Sequence, residues 1–218
     1  DGHPVRAIEL KLSQGAKPGI GGMLPGAKVT PEIAAIRGVE PGVDCLSPSI
    51  NPDFHNPDRM LDVVERIAEG SQHDANLTAD VGQNQMWVAR YGGFKRANSH
   101  LSSGGLGTMG FALPAAMGAA VAVPEKTSWA IAGDGGFQMT LQELATIVQE
   151  RIPVKIALMD NKKLGMIRQW QEIVYGGNYH SEQLAGPDYL KLCDAYSLPA
   201  WKVSKPEEVD AAVAAALA

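Results

Sequence analysis

Two short segments carry side chains suited to holding a cation beside a phosphate group. The first is Gly133-Asp134-Gly135-Gly136, at the end of the apolar run Trp129-Ala130-Ile131-Ala132. The second is Asp160-Asn161-Lys162-Lys163-Leu164-Gly165, which follows Ile156-Ala157-Leu158-Met159. A carboxylate, an amide oxygen and a nearby backbone carbonyl suit a hard cation such as Mg²⁺, with phosphate oxygens completing an octahedron. Glycines let the backbone turn tightly and approach a ligand, and their amides suit a diphosphate. A helix expected to start near Thr140 would add its positive end. Either segment alone is ordinary turn chemistry. Their spacing joins them: 26 residues lie between Asp134 and Asn161, room for one helix and one strand. A right-handed crossover of that length returns the chain to an adjacent parallel strand. Both side chains would then stand at the sheet edge where ligands bind in open α/β folds.

A third segment, Gly105-Leu106-Gly107-Thr108-Met109-Gly110, matches the GxGxxG pattern of a dinucleotide site. That reading is opposed by the polar stretch before it, 96–103, which does not read as a strand. It is also opposed by what stands about 20 residues on, Trp129-Ala130 rather than an acid at a strand end, with Asp134 needed for the metal. The small residues of 105–120 instead let a helix pack closely on a neighbour or a cofactor. Met109 is then either core filler or a cofactor contact.

The elements that would position these residues alternate. Strands are expected at 76–81, 128–132, 154–159 and 200–203. Helices are expected at 107–123, 140–150, 164–171, 187–195 and from Pro206 onward. This alternation predicts an α/β fold, a doubly wound, mostly parallel sheet with helices on both faces. The first part of the chain has a different texture. A strand-like run at 5–12 precedes a Gly/Pro-rich stretch, 13–28. A helix is expected at 30–37, with Thr30 as its cap and Pro31 in its first turn. An amphipathic helix is expected at 57–69. The polar run Gly70-Ser71-Gln72-His73-Asp74 predicts a boundary, giving domains 1–72 and 73–218.

Composition narrows the partners. The chain has 218 residues, a net charge of -5 and no dense Lys/Arg run, which argues against a nucleic-acid partner. No apolar run reaches the ~18 residues of a membrane helix. Cys45 and Cys193, with no CxxC, fit a reducing compartment and predict a cytoplasmic protein.

From about residue 76 to 218 the chain resembles the C-terminal, diphosphate-binding domain of thiamine-diphosphate enzymes, and within them the acetohydroxyacid synthase (acetolactate synthase) catalytic subunits. The resemblance rests on Thr78-Ala79-Asp80-Val81-Gly82-Gln83-Asn84-Gln85-Met86-Trp87, on residues 103–116 and on Gly133-Asp134-Gly135-Gly136. It extends through Asn161-Lys162-Lys163-Leu164-Gly165-Met166, Arg168-Gln169-Trp170-Gln171-Glu172 and Lys205-Pro206-Glu207-Glu208-Val209. It implies thiamine diphosphate and Mg²⁺ as cofactors, with Asp134, Asn161 and the backbone carbonyl of Lys163 on the metal. Val81, Gln83, Asn84, Gly107, Met109, Gly133, Gly135, Gly136, Leu164, Gly165 and Met166 would bind the cofactor, with Met109 as the apolar wedge that bends it. Trp170 would lie along the substrate channel. Asn84 stands where the family usually has His, Gly136 replaces a frequent Ser, and Lys163 replaces a usual His. The implied activity is carboligation of 2-keto acids, by pyruvate decarboxylation and transfer of the two-carbon unit, within branched-chain amino acid biosynthesis. The family's pyrimidine-binding domain, with the glutamate that activates the cofactor, is not in this sequence. The implied partners are therefore a small 2-keto acid and either a homo-oligomer or a pyrimidine-binding domain, and the chain alone is expected to be inactive.

Residues 1 to about 70 resemble a fragment of the FMN-binding barrel domain of glutamate synthases, through residues 11–38. That resemblance implies keto-acid or flavin contacts at Lys17 and Arg37, with Met23 in place of a usual Gln. It also implies a partial α/β barrel-like segment. A barrel needs all its strands to close, so FMN is not expected to bind. Two alternatives to an acetolactate synthase-type enzyme follow: a non-catalytic cofactor-binding or assembly module, and a flavin-linked glutamate synthase fragment.

Overall fold

The structure is a computed structural model. It describes residues 74–218 throughout and, before them, 6–11, 23–24, 26–37, 40–43, 45–46, 66–67 and 69. Six strands form one sheet: β1 (Arg6–Lys11), β4 (Asn76–Ala79), β5 (His100–Ser102), β6 (Ser128–Gly133), β7 (Val154–Asp160) and β8 (Ala200–Val203). Their order is β5-β4-β6-β7-β1-β8, and every pairing is parallel. β2 (Met23–Leu24) and β3 (Cys45–Leu46) make a separate antiparallel pair. The helices are α1 (Pro31–Arg37), α2 (Gln83–Tyr91), α3 (Ala112–Ala122), α4 (Asp134–Thr140), α5 (Glu143–Glu150), α6 (Gly165–Ile173), α7 (Tyr189–Ala195) and α8 (Val209–Leu217).

The doubly wound arrangement follows from the alternation of side chains along the central strands. Trp129 and Ile131 of β6, with Ala157 and Met159 of β7, join one buried cluster with Val88 of α2 and Val209, Ala212, Val213 and Ala216 of α8. Ala130 and Ala132, with Ile156 and Leu158, join the opposite cluster with Leu113 of α3, Phe137 of α4, Leu144 and Ile147 of α5, and Cys193 of α7. Each large aliphatic side chain so buried contributes about 1.5–3 kcal/mol. Ala112, Ala116 and Ala120 recur at helical spacing on the buried stripe of α3, so small residues bring that helix close to the sheet. Thr78 Oγ1 lies 2.8 Å from the Ala112 carbonyl and 2.9 Å from the Trp129 carbonyl, so its one proton ties β4 to α3 or to β6.

Several elements differ from expectation. The helix expected at 107–123 begins at Ala112, because Gly107 and Gly110 take φ values of 65° and 87°, a left-handed conformation that ends helical continuity. The helix expected at 140–150 is two helices, and the first starts at Asp134 itself, directly after β6. The polar stretch 96–103 does contain a strand, β5, which among the described residues pairs only with β4. A short, half-buried edge strand needs no apolar run, and so escapes a search for one. Helix α2 was not anticipated.

The sheet also draws on residues before the expected boundary near 72. β1 lies between β7 and β8, and Ile67 is fully buried in the cluster that α8 covers. Arg66 pairs with Asp210 of α8. Residues 66, 67 and 69 are helical, and the rest of the helix expected at 57–69 lies outside the described residues. Among the described residues, no helix is long and apolar enough to cross a membrane.

Candidate functional site

The C-terminal ends of β4, β6 and β7 stand side by side at one edge of the sheet, and a cleft of about 620 Å³ opens there. Thirteen of the residues expected to hold cofactor or metal line it: Val81, Gln83, Asn84, Met109, Gly133, Asp134, Gly135, Gly136, Asn161, Lys163, Leu164, Gly165 and Met166. Gly107 is not in the lining; it sits in the exposed turn before Met109. Trp170 lies on α6 beyond the cleft, 59% exposed. Arg37 closes α1, and Lys17 lies outside the described residues.

The acidic floor of the cleft is short of hydrogen-bond donors. Asp134 is 2% exposed, and its Oδ1 accepts from the Gly135 amide at 3.1 Å. Its Oδ2 is buried without a partner, and so is Oδ1 of neighbouring Asp160. Burial, then the charge of Asp160 beside it, pushes the Asp134 carboxyl up to about 7. The Lys162 ammonium, 2.6 Å from Asp160 Oδ2, offsets only part of this. Two close buried carboxylates with orphaned oxygens are what a bound cation would satisfy. Asn161 adds an amide, whose Oδ1 accepts from the Lys163 amide at 3.0 Å. The chain then bridges to residues 182–184: the Leu164 amide donates to the Glu182 carbonyl at 2.7 Å, and the Leu184 amide to the Lys162 carbonyl at 2.9 Å. Those two bonds use the carbonyl of Lys162 and not that of Lys163. Among the described residues no three His, Cys, Asp or Glu side chains cluster to hold a metal, so a donor set here must combine carboxylate, amide and main chain.

The glycines mark close approaches. A Cβ on Gly136 would lie 2.5 Å from Asp80 Oδ1, and one on Gly165 would run into Gln83 Oε1. A Cβ on Gly135 would lie 3.3 Å from Met109 Cε, which puts the half-buried Met109 methyl over the first turn of α4. Met109 belongs to neither core cluster. The buried Asn84 holds the start of α2 against two strand ends, donating to the Asp80 carbonyl at 3.0 Å and to the Ile131 carbonyl at 3.2 Å. Gln83 donates to Gln169 Oε1 at 3.0 Å, linking α2 to α6. Lys163 is nearly buried, and burial, with the Arg168 charge second, depresses its ammonium below the ordinary lysine value.

One residue of consequence was not anticipated. The Asp80 carboxylate accepts from the amides of Val81 at 2.7 Å, Gly110 at 2.9 Å and Ala112 at 3.2 Å. It therefore fastens the loop that carries Met109 to the end of β4, with Gly136 against its other side. Burial pushes its carboxyl up despite these three donors. The available signal was a lone acid ending an apolar strand. The sequence assigns no site role to Asp160, Gly82, Trp87, Met159 or Ile167; the last four line the cleft.

Comparison with known proteins agrees with this geometry. The family described as thiamine pyrophosphate enzyme, C-terminal TPP binding domain, matches residues 80–218. A conserved region in glutamate synthase matches residues 3–87. An acetolactate synthase of Mycobacterium bovis is 47% identical over 166 residues, covering 74% of this chain and 26% of that protein. The acetolactate synthase isozyme 3 large subunit of Escherichia coli is 38% identical over 174 residues, covering 79% and 30%. A probable acetolactate synthase large subunit of Methanococcus aeolicus is 48% identical over 142 residues, covering 65% and 24%. The chain thus spans only 24 to 30% of the length of these curated relatives. With its parallel sheet, its Gly-Asp-Gly turn and this match over residues 80–218, the chain belongs to the thiamine pyrophosphate enzymes and carries their C-terminal cofactor-binding domain.

Proposed function

We propose that this chain is the diphosphate- and metal-binding part of an acetolactate synthase-type enzyme, acting on 2-keto acids in branched-chain amino acid biosynthesis. The observation that carries the reading is the convergence of Asp134, Asn161, Met109 and the Gly135-Gly136 turn on one cleft at the strand ends. Asp134, Asn161 and the Lys163 carbonyl would hold Mg²⁺, and the orphaned Asp134 oxygen supports this. The amides of Gly135, Gly136, Leu164 and Gly165 would face the diphosphate, and Val81, Gln83, Asn84, Gly133 and Met166 would close the pocket. Met109 would wedge beneath the middle of the cofactor, and Trp170 would border the keto-acid path. Thiamine diphosphate, when bound, supplies the stabilisation of an acyl carbanion equivalent, while the protein supplies position and field. The residues of this chain would hold the phosphates and shield the buried carboxylates.

Asp134 is the one acid among the cleft-lining residues, and it is assigned to the metal. Among the described residues lining the cleft there is no second carboxylate to exchange a proton with an aminopyrimidine. This favours a part that binds cofactor yet does not turn over alone, needing a second copy or a pyrimidine-binding domain. The same observation keeps a non-catalytic cofactor-binding module as the second reading. We place the protein in the cytoplasm, which a sequence with two cysteines and no CxxC supports. We place the boundary between the two parts of the chain near residue 72, shortly before the stretch 80–87 where the two family matches overlap.

Calorimetric titration with thiamine diphosphate, with and without Mg²⁺, tests the proposal. Saturable binding that requires the metal is expected. Absence of binding in both conditions would overturn it.

A further inference from the structure

β1 is residues 6–11, and the strands on either side of it are residues 154–160 and 200–203. Its pairing with β7 runs the whole length of the strand, from Arg6 opposite Lys155 to Lys11 opposite Asp160. Its pairing with β8 runs from Ala7 opposite Ala200 to Leu10 opposite Val203. Among the described residues β8 has no other strand partner, so β8 is joined to the sheet only through β1. Helices α7 and α8 both pack against β1, from the two opposite core clusters. Without β1, a row of N–H and C=O groups on β7 and another on β8 would face an empty slot between two helical layers. Buried main-chain groups in that condition cost about as much as lost hydrogen bonds. β7 is the strand that ends in Asp160 and delivers Asn161 to the cleft.

We infer that residues 6–11, although they lie in the stretch that matches a glutamate synthase region, act as a strand donor to the cofactor-binding domain. β7 and β8 form a slot that accepts one parallel, extended segment, and the integrity of the cleft depends on that slot being filled. The two family matches overlap at residues 80–87, and the folding unit takes in strands from both sides of that stretch. Residues 6–11 are therefore a working part of the cofactor domain. Only the effect on cofactor affinity rests on the proposed function; the strand donation itself does not.

Hydrogen exchange of the full-length chain tests the donation without any cofactor. In the unaltered protein the amides of 6–11 are expected to be protected to the same order as those of 154–160. Exchange of 6–11 at open-chain rates would overturn the inference. The double variant Ile8→Pro, Glu9→Pro removes consecutive strand donors, which in a central strand address opposite neighbours. It is expected to lower protection in both 154–160 and 200–203 by at least about tenfold, the factor that 1.4 kcal/mol produces. Unchanged protection there would also overturn the inference. Ala35→Pro, in α1, is the matched control and should leave both strands protected. A synthetic peptide of residues 5–12, added to the double variant, is expected to restore protection. In the titration arm the double variant should bind Mg²⁺ and thiamine diphosphate about tenfold more weakly than the control variant. If the unaltered chain binds no cofactor, the proposed function fails while the exchange result still decides the strand. If protection falls and affinity does not, the cleft does not depend on the slot and that half of the inference is wrong.

Discussion

Asp134 concentrates the electrostatics of the cleft. Its side chain is buried beside Asp160, with one oxygen unpartnered. Asp134→Ala is expected to abolish Mg²⁺-dependent binding of thiamine diphosphate, because phosphate charge would enter without its cation. Asn161→Ala should weaken binding less, since water can replace one neutral ligand. Calorimetry on the two variants distinguishes these outcomes, and unchanged affinity in Asp134→Ala would remove the metal assignment. Met109 offers a sharper contrast. A buried core Met→Ala change costs about 2–5 kcal/mol of stability. Because Met109 lines the cleft and stands outside both core clusters, Met109→Ala should cost less than that in a denaturant melt while weakening cofactor binding. The reverse pattern would make it core filler. These residues were legible in the sequence because type, spacing and strand end all pointed the same way. Asp80 was not, since its role lies in three main-chain amides that no side-chain pattern announces.

His100 adds a pH dependence. It stacks on Phe94 with ring centroids 4.5 Å apart, and burial lowers its pKa below the ordinary 6.5. The unfolded chain therefore binds a proton before the folded one does. The stability His100 contributes is present above about pH 6.5 and falls as pH drops through its lower folded value. Asp134, its carboxyl pushed up to about 7, acts in the opposite sense: the stability linked to its raised pKa is lost as pH rises toward 7. Comparing the protein with His100→Gln cancels the Asp134 contribution. Urea midpoints should converge between the two as pH is lowered from 7.5 to 5.5, and parallel midpoints would refute the assignment.

Among the secondary-structure elements, the site depends on how strand ends are fastened to the helices that follow. Asp80 joins β4, the Met109 loop and the start of α3 in one set of hydrogen bonds. Asp80→Ala leaves buried amides unpaired, at about 1–3 kcal/mol each. The expected result is a lower thermal midpoint together with faster exchange at Gly110 and Ala112. Intact protection at those two amides would show that the loop is held by something else. The strands β6, β7 and β8 and the helices α5 to α8 were readable from periodicity, to within a few residues. The start of α4 was not, because three glycines in Gly133-Asp134-Gly135-Gly136 read as a turn and the helix is imposed by packing. β5 and α2 were missed for a related reason: one is a polar edge strand, and the other buries only Asn84 and Val88.

For the chain as a unit, the surface near the cleft is unusually apolar. No residue of α6 is buried, and Ile167, Trp170 and Ile173 are 47%, 59% and 72% exposed, followed by Val174 and Tyr175 at 53% and 67%. Patches of this kind on a monomer mark contact surfaces. Concentration-dependent association is expected in sedimentation velocity, reduced by Trp170→Glu with Ile173→Glu; a strictly monomeric chain would contradict it. Incubated with pyruvate, thiamine diphosphate and Mg²⁺, the chain alone is expected to yield neither acetolactate nor CO₂. Turnover lost in Glu143→Gln or Glu172→Gln would locate an unforeseen acid/base group. Turnover surviving both would show that no second domain is required.

The position of β1 also sets a timetable. It leaves the ribosome before β7 and β8, which follow it by most of the described sequence. At ~5–20 residues per second, the gap of roughly 140 residues before β7 is a wait of about 7–28 seconds. Through that interval the Arg6–Lys11 segment has neither of its two sheet neighbours, and its pairing with β8 joins Ala7–Leu10 to Ala200–Val203. Nascent-chain chaperones that bind short extended segments would meet this one early. A slower elongation rate would lengthen its exposure and lower the yield of folded protein.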